Sequence, residues 1–516
     1  MSKASCFFLY SLAIACILWT SCTPEAEKEQ ALYEENCGSC HQLPDIQSLP
    51  KHLWEKEVLP EMAARMGIRE EGYNPLKDFS FKEMGAVIKS GIYSQKRYLS
   101  AKDWERIKHY VLKQAPEELL STSTYPQSSP LKHFKAKEIS LDSVKGSNYT
   151  FMRFEREKEM LYLADIRGNI VQYNHRNKES TFLYSLARPI SDFIPGDQSS
   201  FATSIGFLNP SELSSGSIHR IEDGKSTEYP NVLHRPVHSL LEDLNQDGEP
   251  ELIVSEFGHL TGKLSLFSFE GRDKLKQRTL NYEPGNTRSI AIDINQDSKK
   301  DLLVLKSQGR EGIYAYLQKE DLAFEEKQLI SFSPIMGTSW FELFDYEGDG
   351  DLDIATVHGD NADKTYVQKP YHGMRLYLND GEMNFEQVYF FPMNGATRLL
   401  VRDFDQDEDM DFAIVSSFPD YENHPEASFI YLENLESGQY KFSTQILHEP
   451  QAGKWFLMEA GDLDGDGDED IVLNSFTYNF TPLPEKLSEK WKDSYLDLLV
   501  LENQLIPTKK NAKNSD

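Results

Sequence analysis

The chain is 516 residues long, enough for two or more domains with full-sized cores. Its 83 acidic and 54 basic residues leave a net charge of −29, which repels phosphate backbones and argues against nucleic acid as a partner. After the first two dozen residues no apolar run is long enough to cross a membrane as a helix.

The N-terminus reads as a processing signal. Lys3 gives a short positive region, and Phe7 to Trp19 an apolar region too short to span a bilayer. Leu18-Trp19-Thr20-Ser21-Cys22 resembles the lipobox of bacterial lipoproteins, where cleavage frees a cysteine that is then acylated. The resemblance implies a signal peptide over 1–21, lipidation at Cys22, and an exported protein held to a membrane by its lipid, periplasmic or at the cell surface. Plain secretion with cleavage nearby is the alternative. Cys6 and Cys16 then leave with the signal, so besides Cys22 only Cys37 and Cys40 remain.

Residues 22–30 are polar and acidic and read as a tether. Residues 31–115 read as a small helical domain. Leu53, Trp54, Val58, Leu59, Met62 and Met66 recur at helical spacing. Ser80 to Glu83 is a capping box opening a helix that ends near Gly91, and Ser100 to Asp103 caps another with Trp104, Ile107 and Val111 on one face.

Cys37-Gly38-Ser39-Cys40-His41 lies in this region. Zinc needs four ligands, and this segment offers three, with no second cysteine pair. A redox-active dithiol, the alternative, expects a βαβ setting rather than helices. In an exported protein the C-x-x-C-H motif is the attachment signature of covalent haem c, its thiols adding to the vinyl groups and its histidine becoming the proximal ligand. Residues 31–115 resemble a small c-type cytochrome domain. That resemblance implies Cys37, Cys40 and His41 as haem-binding residues. Trp54 followed by Val58-Leu59-Pro60-Glu61-Met62 looks like the helix of short cytochromes whose methionine faces the iron, which favours Met62 as distal ligand. Met66, Met84, and His52 or His109 stay open, the last two implying a lower potential.

Residues 116–132, rich in Ser, Thr and Pro, read as a linker. From 133 to 505 the texture changes to short strands with internal repeats. Five acidic loops begin at Asp243, Asp293, Asp345, Asp403 and Asp462, spaced 50, 52, 58 and 59 residues apart. Four strands per unit is a propeller blade. Two units without the acidic loop precede these, giving seven blades. The last unit lacks a fourth strand, and residues 133–140 resemble one, so they are expected to complete it and remove an open edge. Residues 506–516 read as a polar tail. The expected architecture is multidomain: a small all-α cytochrome c-like domain followed by an all-β seven-bladed propeller.

In each loop oxygens recur at positions 1, 3, 5 and 9, with a backbone carbonyl at position 7. Calcium wants six to eight oxygens at flexible geometry, roughly, and carboxylates this close repel one another without a cation between them. The expected ligands are Asp243, Asn245, Asp247 and Glu251; Asp293, Asn295, Asp297 and Asp301; Asp345, Glu347, Asp349 and Asp353; Asp403, Asp405, Asp407 and Asp411; Asp462, Asp464, Asp466 and Asp470. Position 6 favours glycine, so Ser298 and Glu408 there predict strain, and Lys299 and Lys300 predict the weakest binding in the second loop. An EF-hand needs flanking helices and a glutamate at position 12, which this pattern lacks. Residues 134–504 resemble the FG-GAP (VCBS-type) repeat family of calcium-binding β-propellers, as in the integrin α-subunit head. The resemblance implies fold and calcium, not activity.

Loops joining second to third strands lie on the face opposite the acidic loops. They are long in the last three blades: His358 to Gly373, Phe418 to Ala427 and Phe476 to Ser494. They carry Asp360, Asn361, Asp363, Lys364, Tyr366, Lys369, Tyr371, His372, Asp420, Tyr421, His424, Tyr478 and Trp491, and the inter-blade loops are expected to bring Arg235, His238, Arg288, Trp340, Arg398, Lys454 and Trp455 toward the axis. A pocket containing His358, Asp360 and His372 is the functional expectation, with scattered surface polars as the alternative. No nucleophile, base and orienting group stand out, so no catalytic residue is assigned. Three functions follow: an exported, lipid-anchored electron-transfer protein whose propeller docks a redox partner protein or small-molecule donor; an oxidoreductase that oxidises a small molecule on the propeller; or a ligand-binding or adhesion module.

Overall fold

The computed structural model describes residues 25–119, 127–360, 367–436, 438–479 and 481–506. The signal over 1–21, Cys22, Asn361, Asp363, Lys364, Tyr366 and residues 507–516 lie outside the described residues.

Seven antiparallel sheets, each built on four strands, form a β-propeller. The second strand of every acidic-loop blade is a short apolar run, such as Leu302 to Leu305, and is buried on both faces between neighbouring blades. Fourth strands such as Phe324–Ser331 alternate between exposed and partly buried positions, as outer-edge strands do. The first strand of each blade contacts that of the next, and Trp455–Gly461 meets Tyr149–Glu155 to close the ring. The seventh blade is completed as expected: Phe134–Ile139 pairs antiparallel with Leu498–Asn503. Ser129 and Pro130, in the stretch read as linker, add a short parallel pairing to Gln445 and Ile446 on the edge of blade six.

Every first strand carries a register shift one or two residues after its start, as between Asn286 and Arg288, Thr338 and Trp340, or Ala396 and Arg398. Such a bulge re-aims the side chain that follows it. Those side chains meet across the propeller axis. The Arg288 and Arg398 guanidinium carbons lie 4.1 and 4.5 Å from the Trp340 ring centroid. Arg288 pairs with Glu342 at 2.7 Å and Arg153 with Asp192 at 3.1 Å. His238 therefore lines the axis as expected, beside three arginines that hold it neutral together with its burial.

Arg235, Lys454 and Trp455 brace loops: Arg235 donates to the Gly258 and Leu208 carbonyls, Lys454 to Tyr478, and Trp455 to Pro450. Buried donors without such acceptors are costly, and Arg235 Nε is left in that state.

The N-terminal region folds as a few short helices: Glu25–Cys37, a run from Lys51 to Arg65, Phe81–Ser90 and Ala101–Gln114. A π-helical turn, Trp54–Val58, interrupts the second. The capping boxes form as read: Ser80 and Glu83 cap reciprocally, Gly91 ends that helix at φ 73°, and Ser100 accepts from the Asp103 N–H. Residues 25–30, read as tether, are instead the start of the first helix. Glu25 and Arg106 pair at 2.6 Å and Glu29 meets His109 at 3.1 Å, pinning it to the last helix. Tyr33, Leu53, Trp54, Trp104, Ile107 and Val111 form the core between them.

This helical unit is seated on the propeller. Ile335 and Val367 pack against its core. The Tyr371 hydroxyl donates to the Ser48 carbonyl at 3.1 Å, and the Ser211 hydroxyl donates to Glu83 at 2.6 Å. Phe79 meets His259 with ring centroids 6.0 Å apart. The propeller contacts come from loops joining second to third strands or one blade to the next, on the face opposite the acidic loops. No helix among the described residues is long and apolar enough to cross a membrane.

Glu459, on the seventh first strand, gives the axial cluster a pH dependence. Burial raises its carboxyl from 4.5 to about 7 against the opposing pull of Arg153 and Arg288. Between those values the folded protein holds a proton that the unfolded one has lost, so stability falls as pH rises through the window and is flat above it. Glu459→Gln is expected to stabilise the protein by about 1–3 kcal/mol at pH 8 and to change little at pH 4, read by denaturant unfolding at both.

Candidate functional site

The five acidic loops adopt one geometry. In the first four, the N–H groups of positions 5 and 6 donate to the two oxygens of the position 1 aspartate, as for Asp247 and Gly248 onto Asp243 at 3.1 and 2.9 Å. In the fifth, Gly465 donates to Asp462 at 2.6 Å. Position 6 has positive φ throughout, including Ser298 at 70° and Glu408 at 74°, where a side chain is strained as expected. Position 4 is left-handed too, at Gln246, Gln296, Gly348, Gln406 and Gly465, which the sequence reading missed. Lys299 and Lys300 are engaged outside their loop, on the Lys319 carbonyl and on Glu242 of the preceding blade.

The position 9 carboxylates, Glu251, Asp301, Asp353, Asp411 and Asp470, are buried. Asp353 accepts from the Tyr346 and Asn379 N–H groups at 2.8 and 2.9 Å. Asp411 accepts from Phe404 and Asn434, and Asp470 from Leu463 and Asn503. Glu251 accepts from Leu244 and Asp301 from Gln318. Each therefore ties the loop's second residue, the end of the third strand, or both, to the second strand. The third-strand residue returns the bond: Asn379, Asn434 and Asn503 donate their side-chain amides to the position 8 carbonyl. Gln318 and Asn503 also reach across to the preceding blade, donating to Leu244 and Phe404 carbonyls at 2.9 and 2.7 Å. These amides went unread in the sequence, where the only signal was their position at the end of the third strand.

Loops four and five come closest to a cation site. One oxygen each of Asp403, Asp405 and Asp407 lie within 4.8 Å of one another, and so do those of Asp462, Asp464 and Asp470. Asp405 and Asp409, and Asp466 and Asp468, each keep a buried carboxylate oxygen without a hydrogen-bond partner. Burial first, then repulsion from neighbouring carboxylates, pushes Asp405 and Asp409 up to about 6. Converging, mutually repelling carboxylate oxygens, with unpaired ones beside them, are the donor set of a hard divalent cation, so these residues fit calcium. Position 7 side chains Asp409 and Asp468 stand beside these clusters, each with a buried unpaired oxygen; the sequence reading credited that position with a carbonyl alone.

The Cys37 to His41 segment sits where the first helix ends. Cys37 is partly buried, Cys40 is exposed, and neither thiol is in a disulfide. Burial, with Cys40 alongside, raises the Cys37 thiol to about 12. His41 Nδ1 lies 2.9 Å from the Gln42 carbonyl, which can only accept, so Nδ1 carries the proton and Nε2 keeps its lone pair. Met62 and Met66 border the same core as Cys37, whereas Met84 does not. His109 is committed to Glu29, and His52 lines a cavity against blade five. Two free thiols, an imidazole with a free Nε2, and thioethers on the same core fit a covalently attached haem.

On the opposite face, His358 is fully buried and satisfied by the Thr338 and Thr356 hydroxyls, both at 2.8 Å, so it is a packing residue. The Tyr421 and Trp491 rings meet at a tilt with centroids 5.2 Å apart, tying the loops of blades six and seven.

Residues 293–356 and 403–473 match the FG-GAP-like repeat model. No curated protein matches. Among solved structures, the protein is similar to the β-propeller domain of Cps50 (Swd1) from Myceliophteria thermophila, at 11% identity over 72% of this chain and 99% of that one, with a TM-score of 0.44. It is also similar to YCF48 bound to a D1 peptide, at 10% identity over 74% and 99% with a TM-score of 0.40. The WD40 domain of SCAP from fission yeast matches at 9% identity over 72% and 98%, with a TM-score of 0.38. A seven-bladed propeller with FG-GAP-like repeats suits a ligand-binding module.

The amide latches make a graded test. Asn503→Ala strips donors from two buried carbonyls and is expected to cost about 2–3 kcal/mol, whereas Asn379→Ala strips one and is expected to cost about 1 kcal/mol, read as denaturant midpoints at constant m.

Proposed function

We propose that this FG-GAP-repeat propeller is the docking half of an exported, lipid-anchored c-type haem protein that works in electron transfer. The observation that carries the reading is Cys37-Gly38-Ser39-Cys40-His41 at a helix end, with two unpaired thiols and the histidine tautomer fixed by the Gln42 carbonyl. Cys37 and Cys40 would hold the haem through thioethers, His41 through Nε2, and Met62 or Met66 through its sulfur. When bound, such a haem supplies a one-electron couple whose potential its axial ligands set. The protein's own part is to exclude water with the Tyr33 and Trp54 core and to seat the helical unit on the propeller. The acidic loops would bind calcium as a structural ion, neutralising loops four and five first. The lipid at Cys22 would keep the protein at a membrane while a partner exchanges electrons.

A second reading, oxidation of a small molecule on the propeller, is favoured by the cavity between the helical unit and blade five.

Expression with haem-maturation machinery is expected to give a covalent haem that survives denaturation, and Cys37→Ala with Cys40→Ala to abolish it; a wild-type protein without covalent haem would sink the electron-transfer reading. Loss of the distal ligand should lower the potential by on the order of 100 mV in Met62→Ala and leave Met66→Ala near wild type, read by redox titration. Calcium at a hundredfold excess over its dissociation constant should add about 2.7 kcal/mol per site. Combined Asp405→Asn and Asp464→Asn should lower the bound calcium measured by elemental analysis, and unchanged stoichiometry would refute the assignment.

A further inference from the structure

The axial cluster holds one guanidinium more than its ion pairs account for. Arg153 is balanced by Asp192 at 3.1 Å and Arg288 by Glu342 at 2.7 Å. Arg398, the third, has no ion-pair partner among the described residues; Asp360 and Glu459 pull on it only from beyond that range. Its Nη1 donates to the Thr397 carbonyl at 2.9 Å. Its Nε and Nη2 have no partner among the described residues, and they are open to solvent, unlike the sealed and unpaired Arg235 Nε and Arg375 Nη1. Arg398, Trp340 and Phe456 are each only partly buried. All three stand on first strands, which the other strands of each blade cover from outside, so the surface they keep open is reached along the axis.

Arg398 is also held in place. Its guanidinium carbon lies 4.5 Å from the Trp340 ring centroid and 5.9 Å from that of Phe456. Contact with aromatic rings fixes a guanidinium while leaving its N–H edge free. The Nε and Nη2 edge offers two parallel N–H groups, which match the two oxygens of a carboxylate. A fixed fork with one positive charge left over calls for a monovalent anion of that shape. Phosphate carries more charge than one guanidinium balances, and a neutral amide has only one oxygen to offer.

We infer that the propeller axis binds a small monocarboxylate, with its two oxygens on Arg398 Nε and Nη2 and its carbon end against Trp340 and Phe456. The inference goes beyond the electron-transfer reading and depends on neither haem nor lipid.

Glu459 gives this site a pH dependence. It faces Arg153, Arg288, Arg402 and Glu342, and it acts on Arg398. His238, beside the same arginines, stays neutral. Burial raises Glu459 to about 7, so it is uncharged in mild acid and repels a bound anion once ionised. Affinity therefore falls as pH rises through 7.

Equilibrium dialysis of radiolabelled acetate against the full-length protein tests the assignment. Acetate is expected to saturate one site per chain, phosphate to compete about tenfold more weakly, and acetamide not to compete. Arg398→Gln should abolish binding. Arg398→Lys, which keeps the charge and loses the fork, should weaken it about tenfold. Between pH 6 and pH 8 acetate affinity should drop about fivefold in the wild type and stay level in Glu459→Gln. Denaturant midpoints of the variants report their folding separately. Absence of saturable acetate binding, competition by acetamide equal to that by unlabelled acetate, or acetate binding unchanged in folded Arg398→Gln or Arg398→Lys protein would overturn the assignment. Haem content is measured on the same samples, so its loss and the failure of this site are distinguishable.

Discussion

A buried carboxylate at the ninth position of each acidic loop holds the propeller's repeat together. In blades five to seven it receives main-chain N–H donors from two directions at once, the loop's second residue and the end of the third strand. Buried acceptors must be satisfied, and a carboxylate offers four lone pairs to spend on the two donors and on a cation. Strand spacing, loop shape and the convergence of acidic oxygens are fixed together by that one group. The third-strand amides extend the arrangement, and two of them bridge to the preceding blade.

Much of the architecture was legible because it rests on local chemistry repeated in register. Apolar runs of four residues flanking an acidic loop gave the blades, and the orphan strand at Phe134 gave the closure. The caps at Ser80 and Ser100 and the strain at Ser298 and Glu408 needed only short windows of sequence. The unread features depend on distant partners. Asn503 reaches Phe404, and Glu29 is buried by a helix some eighty residues away. Arg235 and Lys454 were read toward the axis by position alone, while the carbonyls that claim them come from other loops. Among the site residues, His358 and His372 look alike in sequence, and only packing separates a satisfied histidine from an unsatisfied one.

Seating the helical unit on the second-to-third loop face divides the propeller's labour. The acidic loops stiffen one face, and the other carries the Cys37 to His41 unit together with a cavity at the seam. Rigid scaffold on one side and variable loops on the other is the usual arrangement for a site that must keep its geometry. A helical unit held by several separate contacts, rather than swinging on its linker, also keeps any group it bears at a constant distance from the cavity.

The shared seventh blade sets a rule of chronology. Its outer strand, Phe134–Ile139, leaves the ribosome before any blade exists, and its partner Leu498–Asn503 emerges only after every other strand of the propeller. Six blades can accumulate by local pairing as synthesis proceeds, but the ring stays open, with the outer strand unpaired, until Leu498–Asn503 has been made. A polypeptide stalled or clipped short of Leu498 would present bare edges at both ends of the stack, so truncation anywhere in the final blade exposes the whole propeller to aggregation and proteolysis rather than trimming one sheet.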